Sequence, residues 1–379
     1  MDIAAERADD TVTLKLAGRL DIGTAPALGR ELDREAARHL VLDFGACDYV
    51  SSAGLRELLR AQKRQTTAGG TMLLTNVGRE VIEILEMTGL ASLIAVRPRM
   101  RQIALDGLEF LSAGVCGECY RLDRETIVKV YNEGVEPAIA EKEKAFAKAA
   151  FVAGIPTAIS YDVVACGSRT GVVYEMLDAK LFSAVIRADL DNIEEHAETL
   201  AEVTRLVHAT PAPAGVFPDI KESFRGYIRQ MDFFLPPEDI DLLLARLETI
   251  PDADNCVHFD LHTSNIMIRD GEPVIIDMGD VSRGHYLFDI GLLYTIYGLP
   301  ELGISELATK IPNADGVRLL DACLARYFAD KPAAELAFAE ANRAFLASLR
   351  LIYTITFLPK LREQLSAAVR DVLLPRMRA

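Results

Sequence analysis

No run of about 18 uncharged apolar residues occurs in the 379 residues, so the sequence offers no candidate for a membrane-spanning helix. Concentrated blocks of Lys and Arg are also missing. Residues 1–100 hold 13 Lys+Arg against 14 Asp+Glu and the remainder 28 against 42, so nearly all of the net charge of −15 falls after residue 100. A nucleic-acid partner needs a basic face to neutralise its phosphates, and none is expected here. Cysteine is sparse and scattered, at 47, 116, 119, 166, 256 and 323. We read these as reduced thiols in a cytoplasmic protein. Cys116-Gly117-Glu118-Cys119 has no second C-x-x-C and no close His pair to complete a zinc site. The opening Met1-Asp2-Ile3-Ala4-Ala5-Glu6 is acidic and lacks an apolar core, so neither a signal peptide nor an anchor is expected there.

What is present is ordinary globular material, 50% hydrophobic and 26% charged, in a length that suits two or three domains. Thr11 to Leu16 alternates polar and apolar residues as a half-buried strand does. Thr24 is a candidate N-cap, with Pro26 tolerated in the first helical turn. Leu40 to Phe44 and Thr71 to Thr75 read as strands, and the segments from Ser51 to Leu59 and from Val81 to Met87 as helices. Strands alternating with helices over about 95 residues predict a small α/β domain.

Four motifs, Gly18-Arg19-Leu20-Asp21, Leu42-Asp43, Ser51-Ser52-Ala53-Gly54-Leu55 and Thr88-Gly89-Leu90, make residues 1–97 resemble the STAS domain of bacterial anti-sigma factor antagonists. The resemblance implies a phosphorylatable Ser at the start of the central helix, which matches Ser52, with Asp21 as the acidic residue near it. In that family the phosphate switches off binding to an anti-sigma factor. A helix N-terminus, with free N–H groups and the positive end of its dipole, tolerates such an anion. The bland alternative for Ser52 is a plain N-cap. Val50 stands where an acidic residue often precedes the serine pair.

Val96-Arg97-Pro98-Arg99-Met100-Arg101 marks a boundary, and we assign 98–106 as a linker and 107–379 as a second domain. Gly114 and Gly117, between strand-like segments, suit a hairpin whose backbone approaches a phosphate. Lys129, flanked by Val128 and Val130, is a lone cation on an apolar strand and needs an anionic partner. In the helical stretch 139–150, Ile139, Glu143, Phe146, Ala147 and Ala150 share one face and Glu141 points away. Glu143 is therefore preferred to Glu141 as that partner.

Further along, Asp260 and Asn265 stand in a D-x-x-x-x-N spacing in the loop before one short apolar strand, and Asp277 ends the next. Phosphoryl transfer needs a carboxylate to orient the attacking hydroxyl and take its proton. It also needs hard oxygen ligands to hold Mg²⁺ on the phosphates. His258-Phe259-Asp260-Leu261-His262-Thr263-Ser264-Asn265, with Ile276-Asp277, resembles the H-G-D-x-H-x-x-N pattern of the aminoglycoside phosphotransferase and choline kinase superfamily, with Phe259 in place of the usual Gly. The resemblance implies an α+β protein-kinase-like fold of two lobes, an antiparallel-sheet lobe over 107–177 and a mainly helical one over 178–379. It implies Asp260 as catalytic base, Asn265 and Asp277 as metal ligands, Lys129 as the phosphate-binding lysine, and Glu175 and Leu177 at the hinge that reads adenine. His258 and Asp289 would support the catalytic loop. His208 is read as a packing residue, and the acidic stretch 188–202 as a solvated face.

Two functions follow as expectations. The first is ATP- and Mg²⁺-dependent phosphorylation of a small-molecule hydroxyl, with the N-terminal domain as a regulatory or interaction module. The alternative is a signalling protein whose kinase domain modifies a protein serine, Ser52 of its own chain included, to control an anti-sigma factor.

Overall fold

The computed structural model describes residues 1–35 and 37–378. The chain divides into two compact units, Met1–Gln102 and Ile103–Ala379. In the first, β1 (Asp2–Ala8), β2 (Thr11–Leu20), β3 (His39–Val50), β4 (Thr71–Val77) and β5 (Ala95–Pro98) form one sheet in that order. β1 runs antiparallel to β2; the other pairs are parallel. The parallel connections are made by α1 (Ala25–Arg34), α2 (Ser52–Thr67) and α3 (Arg79–Met87). Leu14, Leu16 and Leu20 of β2, Leu42 and Phe44 of β3, and Leu74 of β4 are buried with Leu28, Leu58 and Leu85 of the helices, as the strand alternation requires.

The start of α1 differs from the expectation for Thr24. Its hydroxyl caps no helical N–H; it donates to Arg19 O at 2.7 Å and accepts from Asp21 N at 2.9 Å. Closing the turn after β2 satisfies that hydroxyl locally, and the turn aims the Asp21 carboxylate at Gly23 N and Thr24 N.

In the second unit β6 (Glu109–Ala113), β7 (Gly117–Arg121), β8 (Thr126–Tyr131), β9 (Ser160–Cys166) and β10 (Arg169–Glu175) belong to a sheet of antiparallel pairs, with spatial order β9-β10-β8-β7-β6. α4 (Pro137–Val152) packs on β9 and β10 through its apolar stripe. The following lobe is mainly helical. It contains a hairpin of β11 (Ile266–Arg269) and β12 (Glu272–Ile275), turned by Asp270-Gly271, both at positive φ, as a two-residue hairpin loop requires. Around it lie α5 (Ile193–Ala209), α6 (Ile220–Arg229), α7 (Leu287–Tyr297), α8 (Asn313–Tyr327) and α9 (Arg343–Phe357). α7 is buried along its whole length and packs against α9. An added Cβ at Gly291 of α7 would stand 2.4 Å from Leu346 O, so this glycine sets how closely the two helices approach. Among the described residues no single helix is long and apolar enough to cross a membrane.

Candidate active site

Lys129 lies mid-strand in β8, between Val172 of β10 and Cys119 of β7. Its ammonium donates to Glu143 Oε1 at 2.8 Å and to Asp277 Oδ1 at 3.0 Å. Glu143 is buried and Glu141 exposed, so the stripe-facing residue of α4 meets the lysine. Glu143 also accepts from the hydroxyls of Tyr174, at 2.8 Å, and Tyr131. Burial alone would lower the Lys129 pKa. Asp277 and Glu143 outweigh it and hold the group well above its ordinary value. The two tyrosines are pushed up, first by burial and then by the Glu143 charge. A fully protonated cradle therefore surrounds one carboxylate.

The hairpin β6–β7 closes with Gly114 N donating to Gly117 O at 2.8 Å. Its two glycines serve different ends. A Cβ at Gly117 would sit 2.1 Å from Val130 O, so strand packing by itself requires glycine there. A Cβ at Gly114 meets nothing within 4 Å, and its backbone is open to a ligand. At the far end of the sheet Met176 N donates to Glu125 O at 2.7 Å and the Glu175 side chain accepts from Ile159 N at 2.9 Å. Leu177 follows as a buried residue.

Asp260 occupies the loop between Asn255–Val257 and β11. Its Oδ2 accepts from Asn265 Nδ2 at 2.9 Å, and the same amide nitrogen donates to Asp260 O at 2.9 Å. With both amide hydrogens so placed, the Asn265 carbonyl oxygen is left as a hard acceptor. Asp277, at φ 63°, turns its carboxylate toward Lys129 while keeping 39% of its side chain exposed. One amide oxygen and one part-exposed carboxylate suit Mg²⁺ carried in on phosphates better than a metal caged by protein alone. Among the described residues no group of three or more His, Cys, Asp or Glu could hold a metal.

Asp289 braces the loop from below: its carboxylate accepts from His258 N at 2.9 Å, from Phe259 N at 2.6 Å and from His208 Nε2 at 2.9 Å. His208 also contacts Tyr327 OH at 2.8 Å, so it is a buried link between α5, α7 and α8. His258 is buried, and its Nδ1 accepts from Asp260 N at 3.2 Å. His262 caps the next turn, its Nδ1 accepting from Ser264 N at 3.2 Å; burial holds its pKa below the ordinary value.

Three site residues escape the motif reading. Arg350 of α9 donates through Nη2 to Asp260 Oδ1 at 2.6 Å, and through Nη1 to Phe259 O at 2.8 Å and Asp280 Oδ2 at 3.3 Å. Tyr353, one turn on, donates to Asp280 Oδ1. Burial raises the Asp280 pKa. For Asp260 burial acts the same way, but the Arg350 guanidinium and the neighbouring imidazoles outweigh it and hold the carboxyl below its ordinary value. The signal for Arg350 was present, since Leu346, Arg350, Tyr353 and Phe357 share one helical face and Arg350 interrupts that stripe as Lys129 interrupts its strand.

Phe259, standing where the family pattern has Gly, adopts φ 61°, a conformation that costs a non-glycine residue about 1–2 kcal/mol. Its ring is buried against Phe224, with centroids 5.3 Å apart, and Tyr353, also at 5.3 Å, with the Arg350 guanidinium 5.4 Å away. A side chain of that size contributes roughly 1.5–3 kcal/mol on burial, comparable with the strain for as long as the loop holds the ring in place.

In the first unit Ser51, not Ser52, is the N-cap of α2; its side chain accepts from Gly54 N at 3.4 Å. Ser52 is the first helical residue and is exposed. Gly54 is demanded by Leu20, whose side chain lies 2.6 Å from where a Cβ would be. The acidic stretch after residue 188 is a solvated and ion-paired face: Glu194 and Glu195 are exposed, and Glu198 binds Arg326 at 2.6 Å.

Comparison with known proteins assigns both units. Residues 2–103 match the STAS domain model and residues 109–337 match the model described as the phosphotransferase enzyme family. Over 99 residues, 25% of this chain and 85% of the relative, the sequence is 31% identical to BtrV of Bordetella bronchiseptica, a protein named as an anti-sigma factor antagonist. Among solved structures, a choline/ethanolamine kinase family protein from Mesorhizobium loti aligns at 14% identity over 73% of this chain and 90% of its own, with a TM-score of 0.49. An aminoglycoside phosphotransferase from Streptomyces rimosus, solved with ADP and streptomycin, aligns at 18% identity over 64% and 92%, with a TM-score of 0.41.

Proposed function

Because the chain belongs to the phosphotransferase enzyme family, we propose that its second unit transfers the terminal phosphoryl group of ATP to a small-molecule hydroxyl, while the STAS unit serves regulation or partner binding. The observation that carries this reading is the shared ammonium of Lys129, held by Glu143 on one side and Asp277 on the other. A cation suited to binding phosphate would thus stand beside a candidate metal ligand. Lys129 would exchange Asp277 for phosphate oxygens when the nucleotide enters. Asn265 and Asp277 would hold Mg²⁺, which when bound neutralises charge on the phosphates. Asp260 would orient the acceptor hydroxyl and take its proton, being fixed for that purpose from both of its oxygens. Gly114 leaves backbone accessible to the phosphates, and Glu175 and Leu177 flank Met176 where the adenine would lie.

The test is ATP turnover and phosphorylation of a metabolite panel by the full chain. Asp260→Asn should lower the phosphorylation rate by a factor of about 10²–10⁴. Asp277→Ala should abolish Mg²⁺-supported turnover, and unchanged ATP consumption in that variant would refute the metal assignment.

The exposure of Ser52 favours keeping the signalling alternative. Its hydroxyl is not the cap, so a kinase could reach it without dismantling α2. Intact mass after incubation with Mg-ATP decides. A single phosphate adduct absent from both Ser52→Ala and Asp260→Asn supports self-modification; an unmodified chain that phosphorylates a metabolite rejects it.

A further inference from the structure

We propose that Arg350 is the positioning residue of the catalytic loop, and that it makes Phe259 tolerable at a glycine position. The proposal rests on the reading of Asp260 as the base and adds a part outside residues 109–337, the segment that matches the family model. One guanidinium does two things at once. Nη2 fixes Asp260 Oδ1 while Asn265 fixes Oδ2, so the carboxylate cannot rotate about its last bond. Nη1 takes the carbonyl of Phe259, the residue at φ 61°. The Phe259 N–H is held by Asp289 on the opposite side, at 2.6 Å. The left-handed residue is thus clamped at both ends of its backbone, and its ring is packed between Phe224 and Tyr353.

The clamp is itself anchored. Arg350 is tied to Asp280, which Tyr353 holds in turn, and Gly291 lets α9 lie against α7. A planar fork with several donors in fixed directions fits three acceptors on two segments, whereas an ammonium is a single point. A base must stand within about 2.6–3.2 Å of the proton it takes. Misplacement of a reacting group by about 1 Å costs on the order of 100-fold in rate.

The experiment uses the full chain and Mg-ATP, with ADP release as the readout. Arg350→Met should lower turnover about 100-fold and leave KM for Mg-ATP unchanged, because Arg350 makes no contact with Lys129, Glu143 or Asp277. Arg350→Lys, which keeps a cation and guards against simple misfolding, should not restore the rate. Guanidinium ion in the tens of millimolar should partly rescue Arg350→Ala and do nothing for Asp260→Asn. Wild-type turnover in Arg350→Met, or loss of nucleotide affinity in step with turnover, would overturn the proposal. A crystal structure of Arg350→Met decides independently of activity: the expected result is Phe259 out of its left-handed conformation or Asp260 parted from Asn265. An unchanged loop is the contrary result. If Asp260→Asn keeps full turnover, the phosphotransfer reading fails, and the crystallographic arm still decides the role of Arg350.

Discussion

Glu143 accepts from an ammonium and two phenols, Lys129 and Tyr174 on Oε1 and Tyr131 on Oε2. Removing one partner of a buried ion pair strands the rest, typically at a cost of 3–5 kcal/mol. Glu143→Ala should therefore destabilise the second unit by about that amount, with Glu143→Gln milder at roughly 1–3 kcal/mol because its amide oxygen still accepts. Denaturant titration of the two variants checks the order. At this scale the site was legible where chemistry is compact in sequence: Asp260, Asn265 and Asp277 lie within 18 positions, and helical spacing separates Glu143 from Glu141. Tyr131 and Tyr174 were not, because a tyrosine on a strand reads as core until the partner of its hydroxyl is known. Arg350 showed only as a charge interrupting a helical stripe; its partner was hidden by distance, ninety residues away.

At the scale of the element, two glycines and one histidine set the terms. Gly291→Ala would force α7 and α9 apart, at a typical overpacking cost of about 1–3 kcal/mol, and should lower turnover more than its loss of melting temperature explains, since α9 carries Arg350. Gly117→Ala, pressed against a strand carbonyl, should be worse for folding. His285 precedes α7, its ring 4.2 Å from Tyr286 and its Nδ1 accepting from Leu287 N at 3.4 Å. Burial lowers its pKa to about 4, against about 6.5 in an unfolded chain. Above that upper value the group is neutral in both states and has no effect. As pH falls from there toward about 4 only the unfolded chain takes the proton, so stability declines across that window. The difference in melting temperature between wild type and His285→Gln, followed from pH 7 downward, should shrink on acidification. Strand and helix periods announced most of these elements. Cap chemistry was less readable: Thr24 and Ser52 both looked like caps, and the geometry gives the role to neither, with Ser51 capping α2.

Across the whole molecule, the first unit has a core of its own, built from all three helices and one face of its sheet. A fragment of residues 1–102 should therefore fold cooperatively by itself, and limited proteolysis of the full chain should cut first near residues 98–106. The charge division seen in composition follows the same line, with a near-neutral STAS unit and an acidic phosphotransferase unit. Much of that acidity is placed in ion pairs and solvated helix faces, which is why composition alone indicated a poor partner for polyanions but gave no clue to the acceptor.

Phe259 at φ 61° also has a historical consequence. A chain with glycine there has no strain to contain, so losing the arginine of α9 would free only the Asp260 carboxylate, while a chain with phenylalanine would lose the clamp on a strained residue as well. Position 350 would have to acquire its arginine before, or together with, the loss of glycine at 259. Across descendants of a common ancestor the two positions should then change as a pair, with glycine and no arginine, or phenylalanine and arginine, far outnumbering phenylalanine alone.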